Sequence, residues 1–207
     1  MAENGEDGRV IRTVVFDIGG VLLDWDPRHL YRRLIADDAE REGFLAEVCT
    51  PAWNAELDVG RSFDEACDEL AARFPDRAEL IHAWKRQDEM VAGVIPGMPE
   101  LVERLEAAAV PRYLLTNMPT PVFHARLERY PVLQGFDGAV VSGDEGIAKP
   151  SAEIFGLLVS RFGVEPAESL FVDDTEANVR GAEAVGFRTH HFTDAASLAE
   201  VLAAHGL

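Results

Sequence analysis

The feature that most constrains this chain is an alternation. Short apolar, β-branched runs recur along it, and amphipathic helical patterns separate them. Strand-like runs fall at residues 10–16, 112–116, 138–142, 169–172 and 187–192. Between and after them, residues 99–108, 122–130, 152–162, 176–185 and 195–204 place apolar side chains at helical spacing, as Leu101, Val102 and Leu105 do. Strand alternating with helix requires parallel pairing with crossover helices. The expected fold is therefore α/β, a Rossmann-like parallel sheet core with helices on both faces.

The first interval breaks the rhythm. A parallel crossover needs about a dozen residues, yet almost a hundred separate Phe16 from Arg112. The surplus, residues 27–92, reads as helices: Leu30 and Leu34 are four apart, and Phe44, Leu45 and Val48 share a face. Ser62-Phe63-Asp64-Glu65 has the form of a capping box opening a helix through Leu70. Phe74-Pro75 ends it, and residues 78–90 are expected to form another helix. The expected organisation is a core of residues 10–26 and 93–207, a small helical cap at 27–92, and a disordered acidic tail at 1–9.

Composition narrows the class. Of 207 residues, 47% are hydrophobic and 27% charged, the balance of a globular protein. The net charge of -18 disfavours partners such as nucleic acid or an anionic membrane surface. No apolar run approaches the roughly 18 residues of a membrane span. Cys49 and Cys67 lack metal-type spacing and read as buried thiols of a cytoplasmic protein. The chain has seventeen arginines but only two lysines, Lys85 and Lys149. In that background a lysine asks what an arginine could not do there.

Ligands of open parallel sheets bind beyond the carboxyl ends of the strands, and four polar clusters fall at such ends. Asp17 stops the first strand, and Gly19 and Gly20 then let the chain turn sharply and let an anion approach. Thr116 offers a hydroxyl and Asn117 an amide, though on local grounds a helix cap before Pro119 explains them better. Lys149 precedes Pro150, which suits a first helical turn, so an ammonium stands beside a helix N-terminus. Asp173 and Asp174 end the fourth strand. Two adjacent carboxylates repel, and a hard divalent cation such as Mg²⁺ would remove that penalty.

In this order the four clusters resemble those of the haloacid dehalogenase-like (HAD) hydrolase superfamily, from about residue 10 to the C-terminus, including the place of the cap. The resemblance implies that Asp17 is a nucleophile forming an aspartyl intermediate. It implies that Thr116 binds phosphate with Asn117 beside it, and that Lys149 neutralises nucleophile and phosphate. Asp173 and Asp174 would bind Mg²⁺ together with Asp17, Asp174 being the more direct ligand, and the Gly19 carbonyl matches a position that also reaches the metal. The expected partner is a small phosphorylated metabolite, and the expected oligomeric state is monomer or homodimer.

One departure stands out. Most phosphatases of the superfamily carry a second Asp two residues after the nucleophile, where this chain has Gly19. Three readings follow. In the first, the protein is a phosphatase without that acid. General acid catalysis is worth about 10²–10⁴-fold, and an anomeric leaving group needs it least. The DxGG pattern, Tyr130-Pro131 and Ala148-Lys149-Pro150 are also similar to a subgroup that includes α-glucose-1-phosphate phosphatases. Asp24 or Asp26 is a substitute proton donor to consider. The second reading is a 2-haloacid dehalogenase, which needs no such acid but leaves Asp173-Asp174 without a job. The third is a silent binding module that keeps the fold. Substrate choice would lie in Trp25, Trp53, Asn54, Asp58 and Arg61, with Trp53 and Trp84 also suited to cap packing. His190 and His191 alternate faces and read as structural, while Asn178 has helical spacing from Asp174 and could orient the acid pair.

Overall fold

The computed structural model describes residues 10–207, so the tail expected at 1–9 lies outside the described residues. Five strands form one parallel sheet: β1 (Thr13–Phe16), β4 (Arg112–Thr116), β5 (Gly138–Val141), β6 (Ser169–Asp173) and β7 (Arg188–His191). Their order is β5-β4-β1-β6-β7, parallel throughout. The chain runs outward from β1 through β4 to β5, then crosses back to β6 and β7. The strand order therefore switches direction beside β1, where a crevice opens at the carboxyl ends.

Successive residues of each strand face opposite layers. Val14 and Phe16 pack with side chains of α6 (Met98–Ala107), α7 (Thr120–Arg129) and α11 (Ala195–Ala204). Val15, with Leu115 and Phe171, packs with α9 (Ala152–Phe162) and α10 (Glu176–Val185). Burial on both faces explains why these strands read as unbroken apolar runs.

The inserted segment folds as α1 (Pro27–Leu34), α2 (Asp38–Glu47), α3 (Pro51–Asp58), α4 (Phe63–Arg73) and α5 (Ala78–His82). These helices have their own cluster of buried side chains, in which Tyr31, Trp53 and Trp84 stack edge to face or tilted. Cys49 and Cys67 are buried there as free thiols. A short antiparallel ribbon, β2 (Leu23–Trp25) and β3 (Val91–Val94), joins this segment to the sheet. The sequence did not reveal it, because strands of three and four residues leave almost no periodicity.

Three expectations are corrected. Ser62 is the N-cap residue of α4 but makes no side-chain capping bond; Asp64 and Glu65 in the first turn favour the helix N-terminus instead. Residues 78–90 are not one helix. After α5 come two 3₁₀ segments, Ala83–Lys85 and Gln87–Met90. The buried residues Ile81, Trp84, Gln87 and Met90 recur every three positions, the period of a 3₁₀ helix rather than an α-helix. Finally, Ser142 does not end β5 but opens a one-turn helix, α8 (Ser142–Glu145). Among the described residues no helix is long and apolar enough to cross a membrane.

Candidate active site

The switch in strand order brings the four distant clusters together. Lys149 is 4% exposed, and its Nζ lies 2.8 Å from Asp17 Oδ1 and 2.7 Å from Asp173 Oδ2. Burial alone would push the lysine's pKa down. The two carboxylates outweigh it and hold the pKa above its usual value, so the ammonium stays charged. For Asp17 the balance tips the other way. Burial pushes its pKa up to about 6 despite the lysine, with the charge of Asp173 adding to the rise.

Each member is held from behind. The side-chain amide of Asn117 donates to the Lys149 carbonyl at 2.9 Å and accepts from the Lys149 N–H at 2.8 Å. That side-chain amide holds the lysine, and Asn117 also lines the cleft. Asp173 is fully buried and accepts from Lys149, from the Thr175 N–H at 2.8 Å and from the Asn178 amide at 3.0 and 3.2 Å. Asn178 therefore orients the acid pair. Asp174 lies against Gly20, whose φ of +75° requires glycine. A Cβ there would stand 2.3 Å from Asp174 Oδ2. His191 also contributes: its Nε2 lies 2.8 Å from the Asp174 carbonyl and donates to it, so it braces the pair, whereas His190 pairs with Ser197.

Carboxylate oxygens of Asp17, Asp173 and Asp174 lie within 4.8 Å of one another. Three convergent hard oxygen donors, one of them largely unsatisfied by the protein, fit a divalent cation that keeps part of its water shell.

The cleft above these groups has a volume of about 430 Å³. Asp17, Gly19, Gly20, Trp25, Asn117, Lys149 and Asp174 line it, as the sequence suggested. Thr116 ends β4 and is buried at 1% exposure; the wall at this strand tip consists of Asn117, Met118 and Pro119. From the cap side Asn54 and Asp58 reach the cleft. Arg61 does not: it pairs with Glu56 and Glu69 on the cap surface. Trp53 packs in the cap core against Trp84. Asp24 pairs with His29, and Asp26 caps α1 and pairs with Arg28.

Two lining residues, Arg126 and Gln87, were not singled out. Arg126 is 3% exposed, its Nε has no hydrogen-bond partner, and burial pushes its pKa down to about 10. The available signal was a polar residue on an apolar stripe. Arg126 shares the buried face of α7 with Val122 and Phe123, and Gln87 shares one with Trp84 and Met90.

A parallel sheet with a carboxylate, a lysine and an acid pair at neighbouring strand tips is the arrangement of a Rossmann-like hydrolase. The chain matches the haloacid dehalogenase-like hydrolase family over residues 11–186, and it belongs to that family. It is 28% identical to a sesquiterpene phosphatase of Aspergillus oryzae, over 88% of this chain and 90% of that one. It is 27% identical to the validoxylamine A 7'-phosphate phosphatase of Streptomyces hygroscopicus subsp. limoneus, over 92% of each. Among solved structures, a HAD family enzyme of Bacteroides thetaiotaomicron superposes with a TM-score of 0.73 at 18% identity, covering 94% of this chain and 99% of that one.

Proposed function

We propose that the protein is a Mg²⁺-dependent phosphatase that hydrolyses a small phosphorylated metabolite through an aspartyl-phosphate on Asp17. The observation that carries this reading is the position of Lys149 between Asp17 and Asp173. A carboxylate oxygen of Asp17 attacks phosphorus, and the ammonium of Lys149, already beside that oxygen, neutralises the gathering negative charge. Asp173 fixes the lysine, and Asn117 fixes its backbone. Asp17, Asp173 and Asp174 would hold Mg²⁺, which supplies charge neutralisation at the phosphoryl oxygens when bound.

Relatives named as phosphatases support the reaction class, and their leaving groups differ widely: a sesquiterpene in one and a validoxylamine in the other. In this chain the cleft wall carries Asn54, Asp58, Gln87 and Arg126. Such a polar wall suits a hydroxylated leaving group such as a sugar better than a hydrocarbon.

The test is phosphate release from an aryl phosphate with and without Mg²⁺. The expected result is metal-dependent release that falls at least about a thousandfold in Asp17→Asn. Halide release from a 2-haloacid without metal, and no phosphate release, would instead support the dehalogenase.

A further inference from the structure

The groups at the strand tips leave the departing oxygen without a proton donor. No side chain stands at Gly19, and the carboxylates of Asp17, Asp173 and Asp174 are occupied by attack, by Lys149 or by the metal position. Of the two substitutes after the glycines, Asp24 does not line the cleft, and Asp26 lines it but is ion-paired through Oδ1 with Arg28, a partner that favours its charged form. One further carboxyl group lines the cleft among the described residues, that of Asp58 at the end of α3.

We infer that Asp58, delivered by the cap, is the general acid and base of this enzyme, in place of the carboxylate missing at Gly19. This rests on the phosphatase reading above. Three observations carry it. First, Asp58 forms no ion pair among the described residues; its carboxylate partner is the neutral amide of Asn54, at 3.0 Å from Oδ2. The Asn54 oxygen accepts from Trp84 Nε1 at 3.1 Å, so its NH₂ must face Asp58, which leaves the second carboxyl oxygen free. Second, the backbone of Asp58 is fastened to the core. Its carbonyl accepts from the Ser142 hydroxyl, whose oxygen accepts from the Met118 N–H at 2.8 Å. The acid is thus positioned relative to the β4 and β5 tips rather than floating with the cap. Third, Asp58 lines the same cleft as Asp17, Lys149 and Arg126, the charged groups whose fields reach it. Burial, with the charge of Asp17 added, pushes the Asp58 pKa up to about 7, so a proton is available at neutral pH.

The steps balance. As Asp17 bonds to phosphorus, the bond from phosphorus to the leaving oxygen breaks and its electron pair goes to that oxygen. Asp58 gives the oxygen its proton, releasing the alcohol and leaving a carboxylate. In the second half that carboxylate takes a proton from water as the water oxygen attacks phosphorus. The bond to Asp17 breaks, freeing phosphate and the Asp17 carboxylate, and Asp58 is protonated again.

The experiment is kcat/KM, which reports only the steps through transfer to Asp17, and kcat for wild type and Asp58→Asn, with Mg²⁺, on substituted phenyl phosphates whose phenols run from strongly to weakly acidic. A strongly acidic phenol leaves without a proton, and its ester also reports whether the variant is folded. The expected result is little loss of kcat/KM on that ester and a loss growing to about 10²–10⁴-fold on the poorest leaving group, while kcat falls even on the strongly acidic ester because the second half loses its base. Equal loss of kcat/KM across the series, or no loss anywhere, overturns the assignment of Asp58 while leaving the phosphatase intact. If wild type releases phosphate from none of the esters, the phosphatase reading itself fails and this assignment with it.

Discussion

Lys149 answers the question raised by an arginine-rich chain. Its ammonium is a compact charge with three donors, and it meets two carboxylates of different strands within 2.8 Å. A planar guanidinium would not fit between them without pushing one away. Asp58 offers a prediction at the same scale. Its ordinary pKa is 3.8, and the fold raises it to about 7. Between those values the folded protein holds a proton the unfolded chain has lost, so this residue's effect is loss of stability as pH rises from about 4 to about 7. Asp58→Asn carries no such penalty. Its unfolding free energy should exceed that of wild type by more at pH 8 than at pH 5, a difference on the order of 1–3 kcal/mol that denaturant melts at the two pH values would read. An offset independent of pH would show that Asp58 is not held protonated by burial. The strand-tip residues were legible because each interrupts an apolar run with chemistry. Arg126 and Asp58 were harder to read, because what they face depends on how the cap docks, which no local pattern encodes.

Elements position these residues through close contacts at glycines. Gly181 in α10 sits against the backbone of Pro150, and a Cβ there would lie 2.6 Å from the Pro150 carbonyl. Gly181→Ala must push the loop carrying Lys149, so kcat is expected to fall about tenfold or more, since small misplacements are costly in catalysis. Gly156 in α9 is exposed and has nothing within 4 Å of its added Cβ. Gly156→Ala should leave kcat unchanged and stabilise the protein by about 0.5–1 kcal/mol. Steady-state kinetics and thermal melts of the pair check both outcomes. Equal activity in the two variants would contradict the role given to the α10 contact. The core elements were readable because burial on both faces writes long apolar signals. The β2–β3 ribbon has too few residues to write one, and a three-residue spacing of buried side chains over 81–90 suits a 3₁₀ turn and the i, i+3 face of an α-helix alike.

At the scale of the molecule, the insertion after β1 divides the labour. The sheet side supplies Asp17, Lys149 and the Asp173-Asp174 pair, while the cap supplies a wall containing Asn54, Asp58 and Gln87. The sequence located the insertion by the gap it makes in the alternation. It did not show that the cap is fastened to the core at the Asp58 carbonyl by Ser142, a bond between residues 84 positions apart. With a net charge of -18, the protein as a whole repels anions. In the cleft the buried cations Lys149 and Arg126 stand against the acids that line it. All of this depends on Asp17 forming a covalent bond to phosphorus. The direct measurement is rapid acid quench of the enzyme turning over a radiolabelled phosphate ester with Mg²⁺, followed by peptide mapping. The account predicts a hydroxylamine-labile label on the peptide containing Asp17, absent in Asp17→Asn; label on another residue, or none during full turnover, would contradict it.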